Sequence, residues 1–142
     1  MPIIEAKPKM VLVSAAALID TDGRVLLTKR PTGKSMAGLW EFPGGKIEGG
    51  ESYEQCLSRE LKEELSICVV IDSLYMKYEH SYDSFSIKLI SLICRFGSGE
   101  IKLTDHDKFS WAIPADFSHY NFVEADIRLA AKIMKDDTFM GS

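Results

Sequence analysis

Cysteine is scarce in this chain. Cys56, Cys68 and Cys94 are the three present. An odd count without a C-x-x-C spacing excludes a disulfide framework and a paired-cysteine metal site. The apolar stretch around each predicts a buried free thiol. Long apolar runs are also missing, and none approaches the ~20 residues needed to span a bilayer, so no membrane partner is expected. The opening stretch Met1-Pro2-Ile3-Ile4-Glu5-Ala6-Lys7-Pro8-Lys9 lacks the apolar centre of a signal peptide. Together these features predict a cytoplasmic protein. Positive charge is not in excess: the formal charge is −4, which argues against a nucleic-acid polymer as partner. A small polyanion is not excluded, because a bound metal inverts the local field. There is no repeat, low-complexity tract or linker, and 142 residues suit a single domain over 1–142.

What is present is a succession of short apolar segments. Met10 to Ile19 is almost continuously apolar and predicts a buried strand. Asp20-Thr21-Asp22-Gly23 is a turn, and Arg24 to Arg30 predicts a second strand pairing back as a hairpin. Pro31 to Ala37 forms a polar loop. Gly38 to Phe42 predicts a short strand, broken by Pro43-Gly44-Gly45. A helix follows, capped by Ser52, with Gln55 completing a capping box. Tyr53, Leu57, Leu61 and Leu65 give it an apolar seam. Ile67 to Ile71, Leu74 to Tyr82, Phe85 to Phe96 and Lys108 to Ile113 read as further strands, with Gly97-Ser98-Gly99 as a turn. Asn121 to Lys135 predicts a closing helix with Val123, Ile127, Ala130, Ala131 and Met134 on its apolar side, and Asp136 to Ser142 a frayed tail. Strands with one helix in the middle and one at the end predict an α/β (α+β) fold, a mixed β-sheet between helices.

The chemistry-bearing stretch runs from Gly45 to Glu64. Glu60 and Glu64 lie one helical turn apart, and Glu60 and Glu63 are i, i+3 neighbours. The three carboxylates share an arc of about 100° beside the leucine seam, so they belong at the edge of the core, close together. Like charges at this spacing repel. Arg59 can pair with Glu63 at i, i+4, but one cation cannot neutralise three anions. A hard divalent cation can, and oxygen donors without His or Cys suit Mg²⁺ or Mn²⁺. A solvated charged face would explain the helix alone. The glycine-rich loop before it favours chemistry instead: a backbone with Gly44, Gly45, Gly49 and Gly50 can approach phosphates, and Lys46 adds a charge. Loop and acidic helix together suggest metal-assisted phosphoryl chemistry.

Gly45, Glu51, Arg59, Glu60, Leu61, Glu63, Glu64 and Ile67 fall into a pattern that resembles the Nudix box. Six matched Gly, Arg and Glu positions at about 0.06 each make a chance match on the order of one in 10⁵. Ser66 departs, standing where the family has Gly; that Gly closes the helix in a left-handed conformation, which costs Ser on the order of 1 kcal/mol. The Leu39-Trp40-Glu41-Phe42-Pro43-Gly44-Gly45-Lys46-Ile47-Glu48 run, Arg24 to Arg30, Trp111 and the last helix are similar to the MutT branch, over roughly residues 10 to 135. The resemblance implies a Nudix-type α/β/α sandwich and hydrolysis of a nucleoside triphosphate, 8-oxo-dGTP among the substrates, to the monophosphate and pyrophosphate. By the same resemblance Mg²⁺, with Mn²⁺ as substitute, is held by Glu60, Glu63, Glu64 and the Gly44 carbonyl. Arg59 orients a glutamate, Arg30 contacts phosphate, and Asp105 is an added acidic ligand or base. The stretch Thr104-Asp105-His106-Asp107 also reads as a solvated turn.

Tyr82 is expected to stack on the base and Phe42 to line the pocket from the other side, although Tyr82 also suits the core. Where a MutT enzyme has an Asn that reads oxidised guanine, this chain has Val123, and Glu124 or Asp126 is expected to read a base edge instead. His80, His106 and His119 are expected to be surface or packing residues, since nothing pairs them into a histidine metal site. The expected partner is a small nucleotide, in a monomer or homodimer. The alternatives are an enzyme of the CTP or dCTP type, one for dinucleoside polyphosphates or nucleotide sugars, and a non-catalytic Nudix-like binding module.

Overall fold

The computed structural model describes residues 9–139. Its elements are β1 (Lys9–Ile19), β2 (Val25–Lys29), β3 (Trp40–Glu41), β4 (Gly44–Lys46), α1 (Tyr53–Leu65), β5 (Ile67–Ser81), β6 (Phe85–Gly99), β7 (Lys108–Ala112) and α2 (Ile127–Lys135), with short 3-10 turns around 114–119, 124–126 and 137–139. The strands join in one mixed sheet along β3-β2-β1-β6-β5, with β4 on β1 and β7 on β2. β1 runs parallel to β6 over its whole length, while the other pairs are antiparallel.

β1 is continuously apolar because both its faces are covered. Ala15 and Ala17 face one core with Val25, Leu27, Leu129 and Ile133. Ala16 and Leu18 face the other with Leu57, Leu61 and Leu65. The sheet therefore lies between α1 and α2, the expected mixed sheet between helices. Ser52 accepts the Gln55 N–H at 3.1 Å and Gln55 accepts the Ser52 N–H at 2.9 Å, closing the expected capping box. Ser66 ends α1 at φ 60°, ψ 31°, the left-handed geometry that glycine meets without strain. The hairpin turn is tied by Asp20, whose Oδ1 accepts the N–H of Asp22 and of Arg24.

Several elements differ from the sequence reading. Gly44–Lys46 is itself a strand, since β4 lies so close to β1 that a Cβ on Gly44 would overlap the Ser14 carbonyl oxygen. Ile67 to Ser81 is one strand whose register slips three times against β6, and the bulges at Ile71/Ser73 and Leu74/Met76 fall where the sequence reading ended one strand and began the next. β6 continues through Gly97-Ser98-Gly99, so no turn falls there. The closing helix begins at Ile127 and buries Leu129, Ala130 and Ile133; Ile127 and Ala131 are exposed. Cys56 and Cys94 are buried free thiols, whereas Cys68 is exposed. Phe139 is buried against Tyr75, so the expected fraying does not extend over Asp136 to Phe139; residues 140–142 lie outside the described residues. No helix among the described residues is long and apolar enough to cross a membrane.

Candidate active site

α1 sets its carboxylates by its seam. With Leu57, Leu61 and Leu65 fully buried, Glu60 and Glu64 sit beside the core at the wall of a cleft of about 850 Å³. Glu60 rests against β4, its carboxylate occupying the space a Cβ on Gly45 would fill. Gly45 thus admits a glutamate, while Gly49 and Gly50 stand in open space away from the cleft wall. Burial, and then the Glu60 charge beside it, push the Glu64 carboxyl up to about 7.

Glu63 does not join this pair, a correction to the expected triad. Its side chain is 60% exposed and lies 3.1 Å from Arg59 Nη1. Arg59 gathers the remaining acids: Nε donates to Glu51 at 2.7 Å, Nη1 to Glu60 at 3.0 Å, and Nη2 to the Lys46 carbonyl at 3.2 Å. These bonds, Glu51's first, hold the Arg59 proton more firmly than usual, and Arg59 in turn holds the Glu51 carboxyl down at about 2. Arg59 thus fastens α1 to the loop ahead of it and lies behind the cleft wall rather than in it. Among the described residues no three His, Cys, Asp or Glu side chains converge on one point. The donors lining the cleft beside α1 include Glu60, Glu64 and the Gly44 backbone, with Asp105 at the rim, 55% exposed and 3.7 Å from Lys34 Nζ. An all-oxygen set whose members repel each other suits a hard cation.

The other predicted residues separate into two groups. Arg30, Phe42, Lys46, Tyr82 and Asp126 all line the cleft. Glu124 does not: it is 65% exposed and faces His80 at 3.6 Å, because the 3-10 turn at 124–126 points Asp126 inward and Glu124 out. Asp126 is 6% exposed, accepts the Phe42 N–H at 2.9 Å, and has its carboxyl pushed up to about 7, first by burial. Tyr82 stacks on Phe85 at 4.9 Å, and its hydroxyl accepts the Ala125 N–H. It is both cleft wall and packing. Val123 is buried and also lines the cleft.

Sequence reasoning missed Glu41 and the place of His106 beside it in the cleft. Glu41 bonds Arg30 and His106, and its charge raises both the Glu64 and the Asp126 carboxyl, so it stands near both acids in the cleft. One signal was available: a carboxylate between Trp40 and Phe42 in a strand whose other face is core must point to a second, polar space. His106 is nearly sealed but lines the cleft. His119 is exposed, as expected.

Paired carboxylates over a glycine strand, in a sheet between two helices, form a site suited to phosphoryl chemistry. Residues 14–132 match the model of the NUDIX domain. The chain is 36% identical to a CTP pyrophosphohydrolase of Escherichia coli (strain K12), over 89% of this chain and 93% of that one. It is 28% identical to an 8-oxo-dGTP diphosphatase of Haemophilus influenzae, over 90% and 94%. A solved structure of MutT, from work on Aliivibrio salmonicida and Vibrio cholerae, superposes with a TM-score of 0.72 at 31% identity, covering 89% of this chain and 98% of that one. The chain belongs to the NUDIX family of hydrolases. Members of that family generally use a divalent metal.

Proposed function

We propose that the protein is a MutT-like nucleoside triphosphate pyrophosphohydrolase, acting as a single domain and releasing the monophosphate and pyrophosphate. One observation carries this reading: Glu60 and Glu64 open onto the same cleft as Arg30, Tyr82 and Asp126, so one elongated ligand can reach the acidic helix with its phosphates and the aromatic wall with its base. Glu60, Glu64 and the Gly44 carbonyl would hold Mg²⁺, or Mn²⁺ in its place, with Glu63 and Asp105 as further donors. The metal supplies charge neutralisation on the phosphate chain and acidifies a bound water. Arg59 orients Glu60, Lys46 and Arg30 bind phosphate oxygens, and one of the α1 glutamates takes the proton of the attacking water. Phe42 and Tyr82 enclose the base. Clearance of damaged nucleotides from the cytoplasmic pool would follow from such an activity.

Asp126 favours bases that present an amino group. One of its oxygens is taken by the Phe42 N–H; the other accepts from the exocyclic amine of cytosine or guanine when the carboxyl is ionised. This keeps cytosine triphosphates beside 8-oxo-dGTP as substrates, in line with the CTP pyrophosphohydrolase among the relatives. The test is kcat/KM for CTP, dCTP, dGTP, 8-oxo-dGTP and dTTP with Mg²⁺, Mn²⁺ or EDTA. Turnover of cytosine or guanine triphosphates, poor use of dTTP and loss of activity in EDTA are expected. Higher kcat/KM on dinucleoside polyphosphates or nucleotide sugars, or full turnover in EDTA, would overturn the proposal.

A further inference from the structure

The loop after β6 is fastened at both ends to the site. The Lys102 N–H donates to the Leu65 carbonyl at 2.9 Å and the Thr104 N–H to the Glu64 carbonyl at 3.2 Å, tying its start to the end of α1. The Asp107 N–H donates to the Lys29 carbonyl at 2.9 Å, tying its end to β2, one residue before Arg30. Between these anchors the His106 ring is 7% exposed. Its Nε2 lies 3.0 Å from Glu41 Oε1, and Arg30 Nη1 donates to Glu41 Oε2 at 3.3 Å. Arg30 Nε donates to the Ser35 carbonyl at 2.8 Å.

We propose that His106 is a positioning residue for Arg30, acting through Glu41; this rests on Arg30 as a phosphate contact. A carboxylate held on one side only can swing, and a long arginine paired with it swings too. Among the described hydrogen bonds, those of the Glu41 carboxylate are with His106 and Arg30. An ionised carboxylate only accepts, so Nε2 carries the proton. Among the described residues the buried His106 Nδ1 has no partner. An orphaned buried nitrogen burdens the fold, and an apolar side chain of similar size would avoid it. The ring's contribution is therefore the bond made by Nε2. That bond fixes the Glu41 carboxylate, which with the Ser35 carbonyl sets where the guanidinium stands at the cleft wall.

The test uses side chains that mimic one ring nitrogen each. His106→Gln can place an amide N–H near Nε2, while His106→Asn reaches only as far as Nδ1. Steady-state kinetics on a triphosphate are expected to show KM raised about tenfold in His106→Asn with kcat within about twofold, and most of the loss restored in His106→Gln. In an Arg30→Ala background, His106→Asn is expected to add nothing. Affinity for inorganic pyrophosphate with Mg²⁺, measured by calorimetry, should follow the same pattern. Because that measurement needs no turnover, it separates this inference from the substrate reading: a protein that hydrolyses no triphosphate but shows the pyrophosphate pattern refutes the latter and supports the former. Wild-type KM and pyrophosphate affinity in a folded His106→Asn protein would overturn the inference. So would equal loss in the Asn and Gln variants, or a full additional loss in the Arg30→Ala background.

Discussion

The carboxylate of Asp126 accepts the backbone N–H of Phe42 at 2.9 Å, joining residues 84 positions apart. This bond brings the turn before α2 against the strand that leads into the glycine pair, and it holds an acid inside the cleft wall. Burial raises that acid to about 7, against an ordinary value of 3.8. In this window the folded chain keeps a proton that the unfolded chain releases, so stability falls as pH rises from about 4 to about 7 and stays reduced above. Asp126→Asn removes the buried charge and keeps an oxygen for the Phe42 N–H. It should unfold at higher denaturant at pH 8, by on the order of 2–4 kcal/mol at most, with the gain vanishing near pH 4. An equal gain at both pH values would refute the protonation argument.

Glu64→Gln should behave oppositely in two assays. Removing one charge from the Glu60–Glu64 pair relieves both repulsion and burial of an anion, so the variant should melt at or above the wild-type temperature in EDTA at pH 8. Its kcat should drop at least ~100-fold, because the lost charge is one a divalent cation needs. Melting curves with and without Mg²⁺ complete the test: wild type should gain more from Mg²⁺ than the variant. An active variant with an unchanged Mg²⁺ response would remove Glu64 from the metal site.

Gly45→Ala tests the seat of Glu60. The new Cβ overlaps the Glu60 carboxylate, the movable end of a side chain, so the fold should survive with Glu60 displaced. A fall in kcat of about tenfold or more is expected with little change in melting. Gly49→Ala faces open space and serves as the control, with near-normal kcat. Equal kinetics in the two variants would show that Glu60 does not need its place on β4.

Ser66→Gly should stabilise the chain by about 1 kcal/mol, since Ser66 holds φ 60° at the end of α1. Denaturant unfolding measures the gain and steady-state kinetics should show kcat unchanged. A stability loss would mean that the serine side chain contributes something its left-handed backbone does not reveal.

Local pattern carried much of the fold and the centre of the site. The capping box at Ser52 and Gln55, the leucine seam of α1 and the left-handed end at Ser66 are short-range features, set by residues within a turn of one another. The seam reading placed Glu60, Glu63 and Glu64 together at the core's edge, because helical spacing is a fixed 100° per residue, and it held for Glu60 and Glu64. The family box is likewise written within consecutive residues. The tertiary structure decided the rest. The Arg59–Glu63 pair was legible as an i, i+4 spacing, but the cleft onto which Glu64 opens was made by what packs around α1. Glu124 and Asp126 were equal candidates until the turn before α2 pointed one outward and sealed the other against Phe42. The bulges of β5 depend on β6, and no alternation along one strand can announce a slip against its partner. The meeting of Arg30, Glu41 and His106 depends on β2, β3 and the loop after β6 arriving together. Hydrogen bonds between residues so far apart in the chain form only when packing closes the distance, so local pattern carries no trace of them.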